Sequence, residues 1–306
     1  MKTVLVLTDG KAGHENQSKA FARSLGCGFE LCPVRFRSRF HKLASYVLDR
    51  FGMRSPGLFR IEGGISGKSF AAVIGTGSGT FYAVKTLSRR LGLPAAAVLY
   101  PRGYSLRGFD CVMAPSFDNP RKASNVVEIP ANLVAADEEF YDRGTAEFLK
   151  LHAPKKDAVA VIVGGPNRVS TMSAVWMRRE LERIFAENGD VEYWVTTSRR
   201  TPGDVEEVVD SFPFDYKLIY SRDRFNPIPA FVRLAKRLYV TAESTGMLSE
   251  ACTSGSAEVR ALDNLAPGQS KFRRFLDTLR AGGYVDGDRK IDLSAQFGRA
   301  RRLLGI

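Results

Sequence analysis

The sequence is poor in the residues that mark several common classes. Only three histidines occur among 306 residues and none is framed by a G-x-S-x-G motif, so no Ser-His-Asp relay is recognisable. The four cysteines (Cys27, Cys32, Cys111, Cys252) lack zinc-ligand spacing and read as small buried hydrophobes of a reducing compartment. No His/Cys cluster is spaced to hold a metal, and neither a metal nor another obligatory cofactor is expected. No run approaches the roughly 18 consecutive apolar residues of a membrane span. The N-terminus passes into polar TDGKAGHENQ after a few apolar residues, unlike a signal peptide. The cytoplasm is the expected location, with peripheral attachment to the inner face of a membrane left open. Acidic residues are scarce as well, and the net charge is +12. From Leu31 to Arg60 seven bases face one acid, Asp49, so this tenth of the chain carries half the surplus. Such a patch attracts nucleic acid, lipid headgroups or a phosphorylated substrate. No module of interleaved aromatic and basic residues is present, which argues against nucleic acid.

What the chain does have is a 44% hydrophobic content and a length that favours two domains. Short apolar runs alternate with longer amphipathic ones. Strands are expected at Val4–Leu7, Phe29–Val34, Ala71–Gly75, Ala95–Tyr100, Cys111–Ala114 and Val126–Ile129. A second series is Ala158–Val163, Val191–Thr196, Lys217–Ile219, Leu238–Ala242 and Ala257–Leu262. Helix-like segments such as Phe81–Leu91, Ser173–Asn188 and Asp204–Ser211 lie between them. This alternation predicts an α/β fold with parallel sheets. The polar LHAPKKD at 151–157 marks the joint, giving Rossmann-like domains over 1–150 and 151–267 and a basic helical tail over 268–306. Two such domains facing across a cleft bind ligands at the carboxyl ends of their strands.

The polar residues cluster at those ends. In Thr8–Gln17, glycines Gly10 and Gly13 let backbone N–H groups turn toward a ligand, and Lys11 adds positive charge. Asp9, His14 and Glu15 could move protons or hold hydroxyls; a capped βα turn is the plainer reading. GTGSGT at 75–80 is either an anion nest or close strand–helix packing. GGPN at 164–167 bends the backbone so that the next helix start can face a phosphate. SRRTP at 198–202 offers paired arginines for bidentate phosphate contacts, against the plainer reading of a solvated face. In TAESTGMLSE at 241–250, Ser244 reads as an N-cap, with Glu243 at the strand's end and Glu250 six residues beyond Ser244 on the same helix.

Taken together, LTDGKAGHENQ, AAVIGTGSGT, YPRGYSLRGFDCVMAPSFD, VIVGGPN, TTSRRTP and NPIPAFVRLAKRLYVTAESTGMLSEA run in the order of one family. Over about residues 3–256 the chain resembles the mitochondrial-fission ELM family, the elongated-mitochondria proteins of plants and their bacterial relatives. The resemblance implies a GT-B glycosyltransferase fold. It places Asp9, Gly10, Lys11, Gly13, His14, Glu15, Asn16 and Gln17 in an N-domain loop facing the cleft. Gly164, Gly165, Pro166 and Asn167, with Ser198, Arg199, Arg200 and Thr201, would surround the donor. Ser244, Met247, Ser249 and Glu250 match the family's Ser-Met-Ser-Glu helix, and Glu250 inherits the role of holding donor hydroxyls. Glu243 stands where the family usually has aspartate, and GTGSGT replaces a loop that usually carries two arginines.

Two functions are expected on this basis. One is sugar transfer from a nucleotide-sugar (NDP-sugar) substrate to a membrane-associated, lipid-linked or anionic glycan acceptor, without a protein-held metal. Asp9, His14 or Glu15 would be the base, and Arg199 or Arg200 with helix N-termini would stabilise the departing diphosphate. The other is a non-catalytic adaptor recruiting a protein partner at a membrane, as the plant members recruit a dynamin-like protein. In RFRSRFHKLASYVLDRFGMR, residues 35–54, the spacing puts Phe36, Phe40, Leu43, Val47 and Phe51 on one helical face among bases. That stripe either docks the N-domain on an anionic membrane or packs on its own sheet.

Overall fold

The computed structural model describes residues 1–63 and 68–306. Contacts divide the chain into two compact units, Met1–Ala135 with Asp292–Ile306, and Ala136–Ile291. In chain order the first unit comprises β1 (Thr3–Thr8), α1 (Ala12–Ser24), β2 (Gly28–Phe36), α2 (Arg39–Arg50), β3 (Phe59–Ile61), β4 (Val73–Thr76), α3 (Phe81–Leu91), β5 (Ala95–Val98), β6 (Cys111–Pro115) and β7 (Val126–Ile129). The second comprises α4 (Glu138–Leu151), β8 (Ala158–Ile162), α5 (Ala174–Asn188), β9 (Glu192–Thr196), α6 (Gly203–Ser211), β10 (Tyr216–Leu218), α7 (Ile228–Leu234), β11 (Ala235–Thr241), α8 (Thr245–Thr253), β12 (Glu258–Leu262) and α9 (Lys271–Ala281). The last helix, α10 (Ser294–Leu304), returns to the first unit.

The first sheet runs β3-β2-β1-β4-β5-β6-β7 and the second β10-β9-β8-β11-β12. Among the described residues every pairing between these strands is parallel except β2 with β3. The central strands are buried along their length, as in β8 (AVAVI) and β9 (EYWVT), because helices cover both faces. The α/β class with parallel sheets is therefore observed. The short edge strand β3 was not anticipated, since three residues after a Pro-Gly turn carry no period to read.

The joint falls near residue 135 rather than at 150. Helix α4 packs in the second unit: its Phe148 is buried against Trp194, Tyr216 and Phe231, with centroids 5.1, 4.8 and 5.8 Å away. The tail is not a separate piece either. Phe275, Leu276 and Leu279 of α9 are buried in the second unit. In α10, Arg299 and Arg301 donate to the carbonyls of Ser124 and Leu25 in the first. All four cysteines are buried and unbridged, and burial pushes the thiols of Cys111 and Cys252 up to about 12.

The strand orders locate the ligand sites. In the first sheet the chain leaves β1 toward β2 and returns to β4 on β1's other side. In the second it leaves β8 toward β9 and β10 and returns to β11. Loops after β1 and β4, and after β8 and β11, thus diverge at topological switch points, where open α/β sheets bind their ligands.

Candidate functional site

At the switch point of the first unit, β1 delivers Asp9 and the start of α1 delivers His14. Both carboxylate oxygens of Asp9 lie 3.1 Å from His14 Nδ1. Asp9 also accepts from the Lys11 backbone N–H at 3.3 Å and pairs with its ammonium at 3.4 Å. A carboxylate on Nδ1 holds the imidazole's orientation and leaves Nε2 to meet a substrate. Glu15 is engaged elsewhere, with the Lys19 ammonium at 2.6 Å and the Thr8 hydroxyl at 3.3 Å. Gln17 serves as a brace, donating to the Leu133 carbonyl and accepting from its N–H. Gly10, Gly13 and Asn16 are exposed, as is Lys11.

The GTGSGT loop closes over this pair. A Cβ on Gly77, whose φ is +84°, would stand 2.3 Å from His14 Cε1, and one on Gly79 would stand 2.8 Å from Asp9 Cβ. Gly75 is held open by helix packing instead, with Val84 and Thr80 atoms 2.6 and 2.7 Å from an added Cβ. The glycine alternation is thus the imprint of Asp9 and His14. Neither Gly77 nor Gly79 was among the expected site residues, although their even spacing was the available signal.

The second unit's switch point is more tightly knit. Gly164 N–H donates to Thr241 Oγ1 at 2.8 Å and Gly165 N–H to Glu243 Oε1 at 2.7 Å, while the Thr241 hydroxyl lies 3.1 Å from the same oxygen. Thr201 Oγ1 donates to the Gly164 carbonyl at 2.6 Å and accepts from Ser198 N–H at 2.8 Å, tying the loop after β9 to the loop after β8. A Cβ on Gly164 would fall 2.0 Å from Glu243 Oε1, and one on Gly165 2.2 Å from the Arg200 carbonyl. Glu243 is 2% exposed, and its Oε2 has no hydrogen-bond partner. A buried carboxylate oxygen left unpaired is costly and is the kind of atom a ligand hydroxyl satisfies. Thr241, the hub of this network, escaped the sequence reading because a threonine ending a strand looks ordinary.

One expectation needs correction. No helix starts at GGPN: α5 begins at Ala174, already capped by the Ser173 hydroxyl accepting from Trp176 N–H. Asn167 is instead spent locally, its Oδ1 accepting from Val169 N–H at 2.9 Å. The N–H groups of Gly164 and Gly165 are likewise taken, so this loop does not cradle a phosphate by itself. After SRRTP, the first turn of α6 carries Asp204 and Glu206, which already compensate its dipole. The start of α8 differs. Ser244 occupies the N-cap position but its hydroxyl makes no cap bond, and no acid lies in the first turn. That terminus keeps orphan N–H groups for an anion, and Arg199 and Arg200 stand exposed on a loop knit to the same network. Pro166 is exposed and Met247 half-buried, while Ser249 donates back to the Thr245 carbonyl at 2.6 Å. Glu250 accepts from the Tyr141 hydroxyl of α4 at 3.0 Å, and burial pushes its carboxyl up. Among the described residues, no group of three or more His, Cys, Asp or Glu side chains stands together as a metal site.

Two α/β units, each with a largely parallel sheet and polar loops at its switch point, give the chain a GT-B-like fold. The fold matches over the whole chain a Listeria monocytogenes protein assigned as a UDP-N-acetylglucosamine 2-epimerase, at TM-score 0.53 and 11% identity, covering 100% of this chain and 89% of the other. It also matches the UDP-GlcNAc 2-epimerase of Methanocaldococcus jannaschii at TM-score 0.51 and 12% identity, over 99% and 92%. The chain belongs to the mitochondrial fission ELM1 family, whose sequence model matches residues 12–293. That span contains the whole second-unit network and begins just after Asp9, Gly10 and Lys11. An uncharacterised protein of Rickettsia prowazekii is 29% identical over 122 residues, which span 38% of this chain and 34% of that one.

Proposed function

We propose that the protein is a glycosyltransferase that moves a sugar from a nucleotide-sugar donor to a hydroxyl of a membrane-associated or anionic glycan acceptor. The observation that carries this reading is Glu243. The chain buries a carboxylate at the switch point of the second sheet, anchors one oxygen on Gly165 N–H and Thr241, and leaves the other unpaired. A polyhydroxyl ligand is the chemistry that would complete it. The donor's diphosphate would lie at the uncapped N-terminus of α8, with Arg199 or Arg200 supplying charge-assisted hydrogen bonds as negative charge builds on the leaving group. In the first unit His14 Nε2 would take the acceptor's proton, and Asp9, by holding Nδ1, would stabilise the imidazolium that forms. Both solved neighbours are named for a UDP-sugar, which agrees with this donor class.

The test is a thermal-shift panel of UDP, GDP, ADP and CMP with the corresponding sugar nucleotides. A ligand at about 100 times its Kd adds about 2.7 kcal/mol of stability. Arg199→Ala or Arg200→Ala should weaken binding by about 1.5–3 kcal/mol, and Glu243→Gln should weaken the sugar nucleotide more than the bare diphosphate. Diphosphate release should then require an acceptor. Absence of binding across the panel would end the reading, and release that is indifferent to acceptor would replace transfer by hydrolysis.

A further inference from the structure

Helix α2 is mounted inside out. Its buried residues are Ser45 and Asp49, whereas Phe40, Leu43 and Val47, with Phe51 just beyond its end, are 82, 64, 54 and 73% exposed. Spacings of three, four and four residues place these four on one face. The expectation that the stripe packs on its own sheet is therefore overturned. Phe36 does not belong to it, because it lies in β2 and packs against the core.

Tyr46 and Leu48 pack against the core, and the fully buried contacts beside them are polar. Asp49 accepts from Lys85 Nζ at 2.8 Å and from Ser105 N–H at 2.7 Å, and Arg54 lies 3.2 Å away. Ser45 Oγ meets Tyr104 Oη at 2.9 Å, and Tyr46 stacks on Tyr104 with centroids 4.4 Å apart. Rolling the stripe inward would carry the Asp49 carboxylate out and leave Lys85 buried without its counter-charge. The fold thus fixes an apolar ridge toward solvent, which single soluble domains avoid unless something covers it.

Charge identifies the cover. Arg37 just before the helix and Arg39 and Arg50 at its two ends are all exposed, and none of the three has an ion-pair partner among the described residues. Arg39 and Arg50 lie about a quarter-turn from the stripe at the two ends of the helix. A second copy of the chain meeting this face symmetrically would oppose arginine to arginine. An anionic lipid surface accepts both features at once: headgroups meet the arginines while the aromatic and aliphatic side chains enter the acyl boundary.

We propose that α2 and its arginine flank are a docking surface for anionic bilayers, laid flat on the interface by the first unit. Among the described residues no helix is long and apolar enough to cross a membrane, so contact here would be interfacial. This inference bears on the acceptor named above but does not depend on transfer, because docking is measured with no donor present.

The experiment is flotation of the full chain with phosphatidylcholine vesicles, with and without phosphatidylglycerol. Binding is expected only to the anionic vesicles and should fall with salt. Phe40→Ser with Phe51→Ser, and separately Arg39→Glu with Arg50→Glu, should each lower the partition at least about tenfold while the circular dichroism is unchanged. Phe40→Trp should shift to the blue on binding. Val175→Trp, at an 81% exposed position in the second unit, should not. Failure to float, equal binding to neutral vesicles, or full binding by both double variants would overturn the proposal. So would a dimer in solution that the Phe40/Phe51 variant dissociates, which would give the ridge to a second copy.

Discussion

Replacing Lys85 by methionine should destabilise the first unit far more than a surface lysine would. Its ammonium donates to both oxygens of Asp49, at 2.8 and 3.1 Å, and to the Ser105 carbonyl at 2.6 Å, and the two side chains are 1% and 0% exposed. Removing one partner of a buried pair costs about 3–5 kcal/mol, because the other charge stays in a poor dielectric. Here Arg54 and the Ser105 N–H remain on Asp49, so the lower end, about 3 kcal/mol, applies. Desolvation already lowers the Lys85 ammonium's pKa while Asp49 raises it, and with Asp49→Asn the lysine should simply lose its proton. Amide hydrogen exchange in α2 and α3 reads the opening directly and avoids assuming that two units unfold as one. Exchange through that opening should accelerate by ~10²-fold in Lys85→Met. Asp49→Leu combined with Lys85→Met should cost less than the sum of the single changes by about 0.5–3 kcal/mol, since no naked charge remains. An opening free energy within about 0.5 kcal/mol of wild type, or strict additivity, would refute this account of how α2 is held.

Two further tests address the sites. His14→Ala should cut transfer about 10²-fold or more with the melting temperature and nucleotide binding retained, and Gly77→Ala should imitate it by driving a Cβ to 2.3 Å from the imidazole; full activity in both would remove the dyad from the chemistry. Glu250 has a folded-state pKa above the ordinary carboxylate value, so the native state holds its proton longer than the unfolded chain does. Its contribution is therefore present below the unfolded pKa and is lost as pH rises through the folded one. Glu250→Gln should gain melting temperature relative to wild type as pH rises above the ordinary glutamate value of about 4, whereas a difference that does not change with pH would show that the carboxylate is not desolvated.

The central strands were legible because they are buried on both faces, and unbroken apolar runs such as VLVL and AVAVI have no other economical reading. The loops that carry chemistry were legible for a related reason. Gly164–Asn167 and Ser198–Thr201 hold more glycine and charge than a turn requires. Boundaries were less so: α4 reads as the end of the first half until Phe148 is seen in the second unit's aromatic core.

Composition and periodicity, then, determined the class, the strand–helix alternation and the sets of residues that share a face. Strand order did not follow from them, and it is strand order that brings Asp9 and His14 against Gly77 and Gly79, and Glu243 against Gly165. Nor could periodicity say which face of α2 turns inward. It reports which side chains align, not what waits beneath them. That was decided by Lys85, 36 residues beyond Asp49, whose buried ammonium needs a carboxylate more than the core needs Phe40.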